Sequence, residues 1–318
     1  MILYKYMPEP HSLLDEGYIR ATQLSALNDP FEATFCKEGI ERIYDSTNIL
    51  VPFEQVVRHI QVSSQRVGVI SFTEAKDNLL MWSHYANDHK GIAVGIDSRN
   101  LGANGIFESL FIPVYGDEYY RPYSTEIHSI SYRKLTRYRT DYLDYDFDSL
   151  TKGGFLIEFF VFDVFKQKSD EWIYEKEHRS ILALEQAERV IFHDFDDLDA
   201  EAVRLLKEYR AVNERKFPHP IVQIDLFEIT DIISRTYCAF KIAEFSFNPD
   251  NVYLFKIGNN KIVSLIEGYR CDENYSDMNI NFARSNPALK IWETHLDRNH
   301  YTLKFKEAPP SGDQFLKD

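Results

Sequence analysis

Val67-Gly68-Val69-Ile70-Ser71-Phe72-Thr73 is the stretch on which the fold turns. It is short, β-branched and apolar, the composition of a strand. The chain runs from it into Asn78 to His89, which predicts a helix, and then into Gly91 to Asp97, a second strand that stops before a loop rich in Gly and Asn. Phe107 to Tyr115 predicts a third strand. Strand, helix and strand at this spacing imply a sheet with a covering helix. The expected fold class is α+β: a mixed β-sheet, whole or split, with flanking helices. The pattern leaves parallel and antiparallel pairing open.

Towards the N-terminus, Ile2 to Met7 predicts a strand that a Pro8-x-Pro10 bend interrupts. A short helix follows over His11 to Glu16, closed by Gly17, and then a short strand over Tyr18 to Thr22. Lys37 to Ser63 has a helical pattern broken near Pro52. On the other side, Tyr119 to Asp148 is rich in tyrosine and charge, a connector followed by helix. Gly153 to Gln167, with phenylalanines at 155, 159, 160, 162 and 165, predicts a helix buried around most of its circumference. Trp172 to Leu184 returns to strand. Val222 to Thr230 and Thr236 to Ile242 predict strands, and Asn259 to Gly268 a helix; Leu289 to Leu296 and Tyr301 to Phe305 end the ordered chain. These elements divide the chain into a main domain over 1–204, a C-terminal extension over 205–308 packed on the same core, and a flexible tail over 309–318.

An apolar fraction of 44% in 318 residues supports a substantial core. Thirty-six basic against fifty acidic residues give a formal charge of −14, which disfavours nucleic acid and anionic membrane as partners. No apolar run approaches the roughly 18 residues of a membrane span, and the N-terminus lacks a signal-peptide pattern. The three cysteines, Cys36, Cys238 and Cys271, have no C-x-x-C spacing, which fits a reducing, cytoplasmic compartment. The acidic run Asp194 to Asp199 with Glu201 lacks the glycine and alternating ligands of a calcium loop and reads as a solvated face.

Three clusters carry chemistry in the sequence. The first is Ser25 to Glu32, where Asn28-Asp29-Pro30 makes a turn and Asn28, Asp29 and Glu32 are candidates for the rim of a cleft. The second is Leu80 to Gly91. On a helix, Trp82, Tyr85 and His89 share one face and His84 and Asp88 another. Core packing and a ring-stacking pocket both remain open for Trp82 and Tyr85. The five-residue offset of His84 and His89 is poor for joint zinc binding, and no metal is expected. The third is Trp172-Ile173-Tyr174-Glu175-Lys176-Glu177-His178-Arg179-Ser180-Ile181. On a strand, Glu175, Glu177 and Arg179 lie on one face between isoleucines. Such a set is either an inert ion network or a pair of carboxylates with divided proton affinities, useful in catalysis.

Tyr4-Lys5-Tyr6 with Ser25 to Glu32, Ile70 to Glu74 running into Met81-Trp82-Ser83-His84-Tyr85-Ala86 and Gly91 to Asp97, and the W-x-Y-E-x-E-x-R pattern of Lys168 to Arg179 together resemble the mostly bacterial family known as Domain of Unknown Function 2971. His178 departs from it, standing where the family pattern has tryptophan. A looser resemblance is to the ADP-ribosyltransferase architecture, which holds NAD in a split-sheet cleft. That resemblance implies catalytic roles for Glu177, stabilising positive charge at the ribose, and Glu175, orienting or deprotonating the acceptor. It implies that Tyr4 or Tyr6, Trp82 and Tyr85 line the nicotinamide pocket and that Arg179 contacts pyrophosphate or restrains a glutamate. The resulting expectation is an NAD-dependent ADP-ribosyltransferase or NAD-cleaving enzyme, with a nucleotide as small-molecule partner and an unidentified macromolecular acceptor. The alternatives are a metal-assisted hydrolase or nuclease using Asp29, His84, Glu175 and Glu177, and a non-enzymatic sensor or interaction module in a bacterial conflict system such as phage defence.

Overall fold

The computed structural model describes residues 1–9, 11–45, 51–99, 101–115, 118–119, 125–136, 155–214, 221–271, 279, 282–284, 286 and 288–308. The fold is mixed α+β. Thirteen strands among the described residues form one sheet: β1 (Ile2–Met7), β2 (Tyr18–Gln23), β3 (Val67–Thr73), β4 (Ile92–Asp97), β5 (Ile127–Ser129), β6 (Glu177–Ala183), β7 (Arg189–Phe192), β8 (Val212–Glu214), β9 (Val222–Asp225), β10 (Val252–Lys256), β11 (Ile262–Glu267), β12 (Lys290–Leu296) and β13 (Leu303–Ala308). Helices α1 (His11–Glu16), α2 (Lys37–Tyr44), α3 (Phe53–Gln65), α4 (Leu79–Tyr85), α5 (Phe155–Phe165), α6 (Ala200–Glu208) and α7 (Ile232–Ala243) flank it. None of the described helices is long and apolar enough to cross a membrane.

The order is β8-β9-β7-β10-β2-β3-β1-β4-β11-β12-β13, with β6 branching from β3 and carrying β5. Only β11 and β12 pair in parallel within this sheet. The branching strand explains the architecture. One edge of β3 is paired along its whole length with β6, from Glu177 opposite Thr73 to Ala183 opposite Val67. Its other edge is shared: Gly68 and Val69 pair with Gln23 and Thr22 of β2, whereas Thr73 pairs with Tyr4 of β1. Between these contacts β1 and β2 part, and the sheet is split. Gly68 sits where the strands converge, because a Cβ there would lie 2.9 Å from that of Ala21 and 2.6 Å from Leu184 Cδ2.

Period-two alternation decides which part of β3 and β6 faces the gap. Val67 and Val69, with Ile181 and Ala183 opposite, pack beneath Val56, Ile60, Val161 and Val164 of α3 and α5. Each larger apolar side chain so buried contributes roughly 1.5–3 kcal/mol. The same face continues as Ser71 and Thr73 opposite Arg179 and Glu177. It turns polar where α5 ends, and the Phe165 carbonyl there accepts a hydrogen bond from Arg179 at 2.9 Å. The opposite face, with Ile70, Phe72 and Leu182, joins the larger core that includes Ile19, Ala21, Ile224, Tyr253 and Phe255 under α6 and α7.

Several expected elements differ. Trp172 to Leu184 is not one strand: Asp170–Glu175 is a 3₁₀ helix, Lys176 is left-handed with φ 46°, and β6 begins at Glu177. The helix over Asn78 to His89 stops at Tyr85, because Asn87, Asp88 and His89 are all left-handed. Of Phe107 to Tyr115, only Val114–Tyr115 is strand and Phe107 bridges singly to Ile257. Thr236 to Ile242 belongs to α7, capped by Asp231 and burying Thr236, Ala239 and Ala243 at helical spacing. Asn259 to Gly268 is mainly β11, whose burial shows no simple alternation because Leu265 packs into the larger core on one face and Ile266 against the Trp82 cluster on the other. The helix expected within Tyr119 to Asp148 falls largely outside the described residues, as does the 309–318 tail. Residues 205–308 supply six strands to the common sheet, β10 against β2 and β11 against β4 among them.

Candidate active site in the split of the sheet

A cavity of about 1010 Å³ fills the gap between β1 and β2 and continues over β3, β6, β7 and β10. At one end, Arg179 anchors a buried ion network; it is 1% exposed. Its Nε and Nη2 donate to Glu177 at 2.7 and 3.0 Å, Nη1 and Nη2 donate to Glu32, and Nη1 donates to Phe165 O. These five bonds use all the N–H donors of the guanidinium. Arg179 restrains two glutamates and has none left for a pyrophosphate.

Lys168 ties in the third carboxylate. Its Nζ lies 2.6 Å from Glu175 Oε2 and 3.1 Å from Glu177 Oε2 and sits over the Trp172 ring, 4.9 Å from its centroid. The Tyr85 hydroxyl donates to Glu175 Oε1 at 2.7 Å. Glu175 therefore reaches Glu177 without sharing its strand; the 3₁₀ helix delivers it, and the Thr73 hydroxyl fixes the Glu175 carbonyl. Burial works to raise the Glu177 pKa, but Arg179 and Lys168 bring it down to about 2. Burial works to lower that of Lys168, and Glu177 and Glu175 outweigh it and raise it. Burial, with Glu175 adding to it, raises that of Tyr85.

Asn78 couples the two flanks. Its Oδ1 caps α4 by accepting from Leu80 and Met81, and its Nδ2 donates to the Tyr174 carbonyl at 2.9 Å. Tyr4, Thr73 and Glu177 form one cross-strand row, which places the Tyr4 ring beside the acidic network.

Tyr4, Tyr6, Tyr85, Asn28, Asp29, Glu32, His84, Glu175, Glu177 and Arg179 all border the cavity. Trp82 does not. It is fully buried, its indole N–H donates to Lys76 O at 2.9 Å, and it meets the Tyr6 ring edge-on at 4.9 Å. Trp82 supports the wall from behind. Tyr6 is itself mostly buried, with its hydroxyl donating to Ala75 O. Asp29 uses its carboxylate within the turn, accepting from Phe31 N at 2.9 Å, and so positions Glu32. His178 faces away and meets Glu74 at 2.7 Å.

Sequence reasoning missed Lys168, Trp172, Ser71, Lys5 and Arg20, all of which border the cavity. Lys168 lies one residue before the end of a three-residue strand, Gln167–Ser169, too short to register as a period. Lys5 is legible only as the residue between two tyrosines on a strand that pairs fully with β4 but meets β3 at Tyr4 alone.

Residues 81–180 match the family model described as Protein of unknown function (DUF2971). Over these residues the chain is similar to that family. The DUF2971 segment contributes Tyr85, Lys168, Glu175, Glu177 and Arg179, whereas Glu32, Tyr4 and Lys5 reach the site from outside it. No curated protein and no solved structure matches the chain.

Proposed function

We propose that the cleft takes NAD and that the protein is an NAD-dependent ADP-ribosyltransferase or NAD-cleaving enzyme. The observation that carries this reading is the convergence of fixed carboxylates at the acidic end. Three carboxylates, Glu32, Glu175 and Glu177, converge on Lys168 and Arg179 at the border of the cavity, with Glu177 held well below the usual carboxylate range by Arg179 and Lys168. Breaking a ribosyl bond to a cationic leaving group develops positive charge on the sugar. A fixed carboxylate in a buried setting stabilises that charge without reorganising.

The site fits the group. The cavity is at the upper end of the range for small-molecule sites, and Tyr4, Tyr85 and Trp172 offer ring faces beside Glu177. Bound NAD would supply the ribosyl bond to be cleaved. Glu177, held by Arg179, Lys168 and Ser71, would stabilise the ribose. Glu175, held by Tyr85 and Lys168, would orient an acceptor hydroxyl or water. A metal-assisted hydrolase is less well supported: each carboxylate already has a side-chain cation as partner, and among the described residues no group of three His, Cys, Asp or Glu is placed to hold a metal.

Calorimetric titration of NAD into wild type and Glu177→Gln tests the reading. Both proteins are expected to bind NAD with affinities within about tenfold, because Gln keeps the shape and the loss falls on the transition state. Absence of NAD binding by the wild type overturns it.

A further inference from the structure

Beyond the acidic end, the cavity runs on to a surface that the DUF2971 segment does not supply. Arg20, Leu254 and Arg189 stand opposite one another on β2, β10 and β7, and Val252, Ile191 and Gln223 do so on β10, β7 and β9. Both rows border the cavity. Leu254, Val252 and Ile191 make an apolar platform, and polar groups edge it. Arg189 is engaged there with Asp225 and Glu16.

Between the platform and the acidic network stand Lys5 and Arg20, one on each bank of the split. The Lys5 ammonium makes no hydrogen bond or ion pair with a described residue. Arg20 donates through Nη2 to Gln23 Oε1 and Pro249 O, both at 3.2 Å, and its Nε is buried without a hydrogen-bond partner among the described residues. Burial lowers the Lys5 pKa to about 8, with Glu177 opposing and Arg20 adding to the fall. Two repelling cations border a solvent-accessible cavity. An anion seated between them relieves the repulsion and gives the Lys5 ammonium a hydrogen-bonding partner.

We infer that Lys5 and Arg20 hold the diphosphate of a dinucleotide whose distal base lies on the Leu254, Val252 and Ile191 platform. This rests on the reading of the acidic end as the site of ribosyl cleavage, and it names the ligand class as a diphosphate-linked purine nucleotide. The spacing agrees: neighbouring strands are about 4.8 Å apart and residues rise about 3.3 Å, so two strand steps and two residues along put Ile191 on β7 about 12 Å from Arg20 on β2, and one step puts Leu254 about 5 Å from it, which brackets the reach of a nucleoside from its phosphate. The anion subsite thus falls to Lys5 and Arg20, and Arg179 remains a positioning residue. The C-terminal half of the chain acquires a role in ligand binding.

The test is calorimetry with ADP-ribose and adenosine on the full chain, with nicotinamide release from NAD measured separately. Lys5→Gln is expected to weaken ADP-ribose by about thirtyfold or more while leaving adenosine within about threefold, because a partly desolvated charge contact is lost and the platform is not. Lys5→Arg restores ADP-ribose binding. Val252→Glu, whose added carboxylate enters the cavity rather than the core, weakens both ligands. Wild-type binding of ADP-ribose without nicotinamide release sinks the cleavage reading and leaves the subsite standing. Nicotinamide release by the wild type, together with unchanged ADP-ribose affinity in Lys5→Gln and Val252→Glu, overturns the subsite. So does failure of the wild type to bind ADP-ribose.

Discussion

At the scale of single residues, the ion network is both a stability element and a source of site charge. Arg179 hydrogen-bonds both Glu32 and Glu177, all three buried, whereas Lys168 comes no nearer than 4.0 Å to Glu32. Removing it takes the closest cation from two buried carboxylates and leaves them Lys168 alone, so Arg179→Met is expected to cost about 3–5 kcal/mol in urea unfolding. A loss below about 1 kcal/mol would show that water replaces the guanidinium. The pH dependence has a definite sign. Glu177 has a folded pKa near 2 against an ordinary 4.5, so its ionic partners contribute stability that is complete above pH 4.5 and is lost as pH falls towards 2. Thermal melts between pH 7 and 2.5 should therefore show a shallower acid-side decline in Glu177→Gln than in wild type; parallel curves would contradict the assignment. The parity of Glu177 and Arg179 was legible in the sequence because both lie within β6. The placement of Glu175 was not, because a left-handed Lys176 joins a 3₁₀ helix to the strand and no side-chain periodicity records such a joint.

At the scale of elements, the site depends on short pieces whose ends are fixed by side chains. Helix α4 has only seven residues, too few to be stable alone, and Asn78 both caps it and ties it to the Tyr174 carbonyl. Asn78→Ala should cost about 1–2 kcal/mol from the lost cap, and it should loosen Tyr85 from Glu175. Hydrogen exchange is the readout: faster exchange confined to residues 79–85 and 170–176 is expected, and uniform acceleration across the sheet would contradict a local role. The sequence carried the strand at Val67–Thr73 and the helix start at Asn78 because a β-branched run and a cap residue are local signals. It misplaced the end of α4 because the left-handed turn at Asn87 to His89 is built from residues that also suit a helix. Strand β11 was mistaken for helix for a related reason: Leu265 packs into the larger core on one face and Ile266 into the Trp82 cluster on the other, so it needs no polar face.

At the scale of the molecule, a fork in the sheet creates the cleft. Strand β3 hands one edge from β2 to β1, α3 and α5 cover its apolar half, and its polar half is left to the gap. The α+β class was readable from the strand and helix pattern, whereas the fork was not, because it arises from long-range pairing of residues 4, 22 and 177 around residues 68–73. The same fork brings the DUF2971 segment, the N-terminal strands and the C-terminal strands around one cavity. Cleavage of the ribosyl bond by Glu177 in that cavity is the central claim, and the rate of nicotinamide release from NAD tests it most directly. Wild type should release nicotinamide, and Glu177→Gln should do so about 10²–10³-fold more slowly with its fold intact. Equal rates in the two proteins, or no release by the wild type with NAD bound, would contradict it.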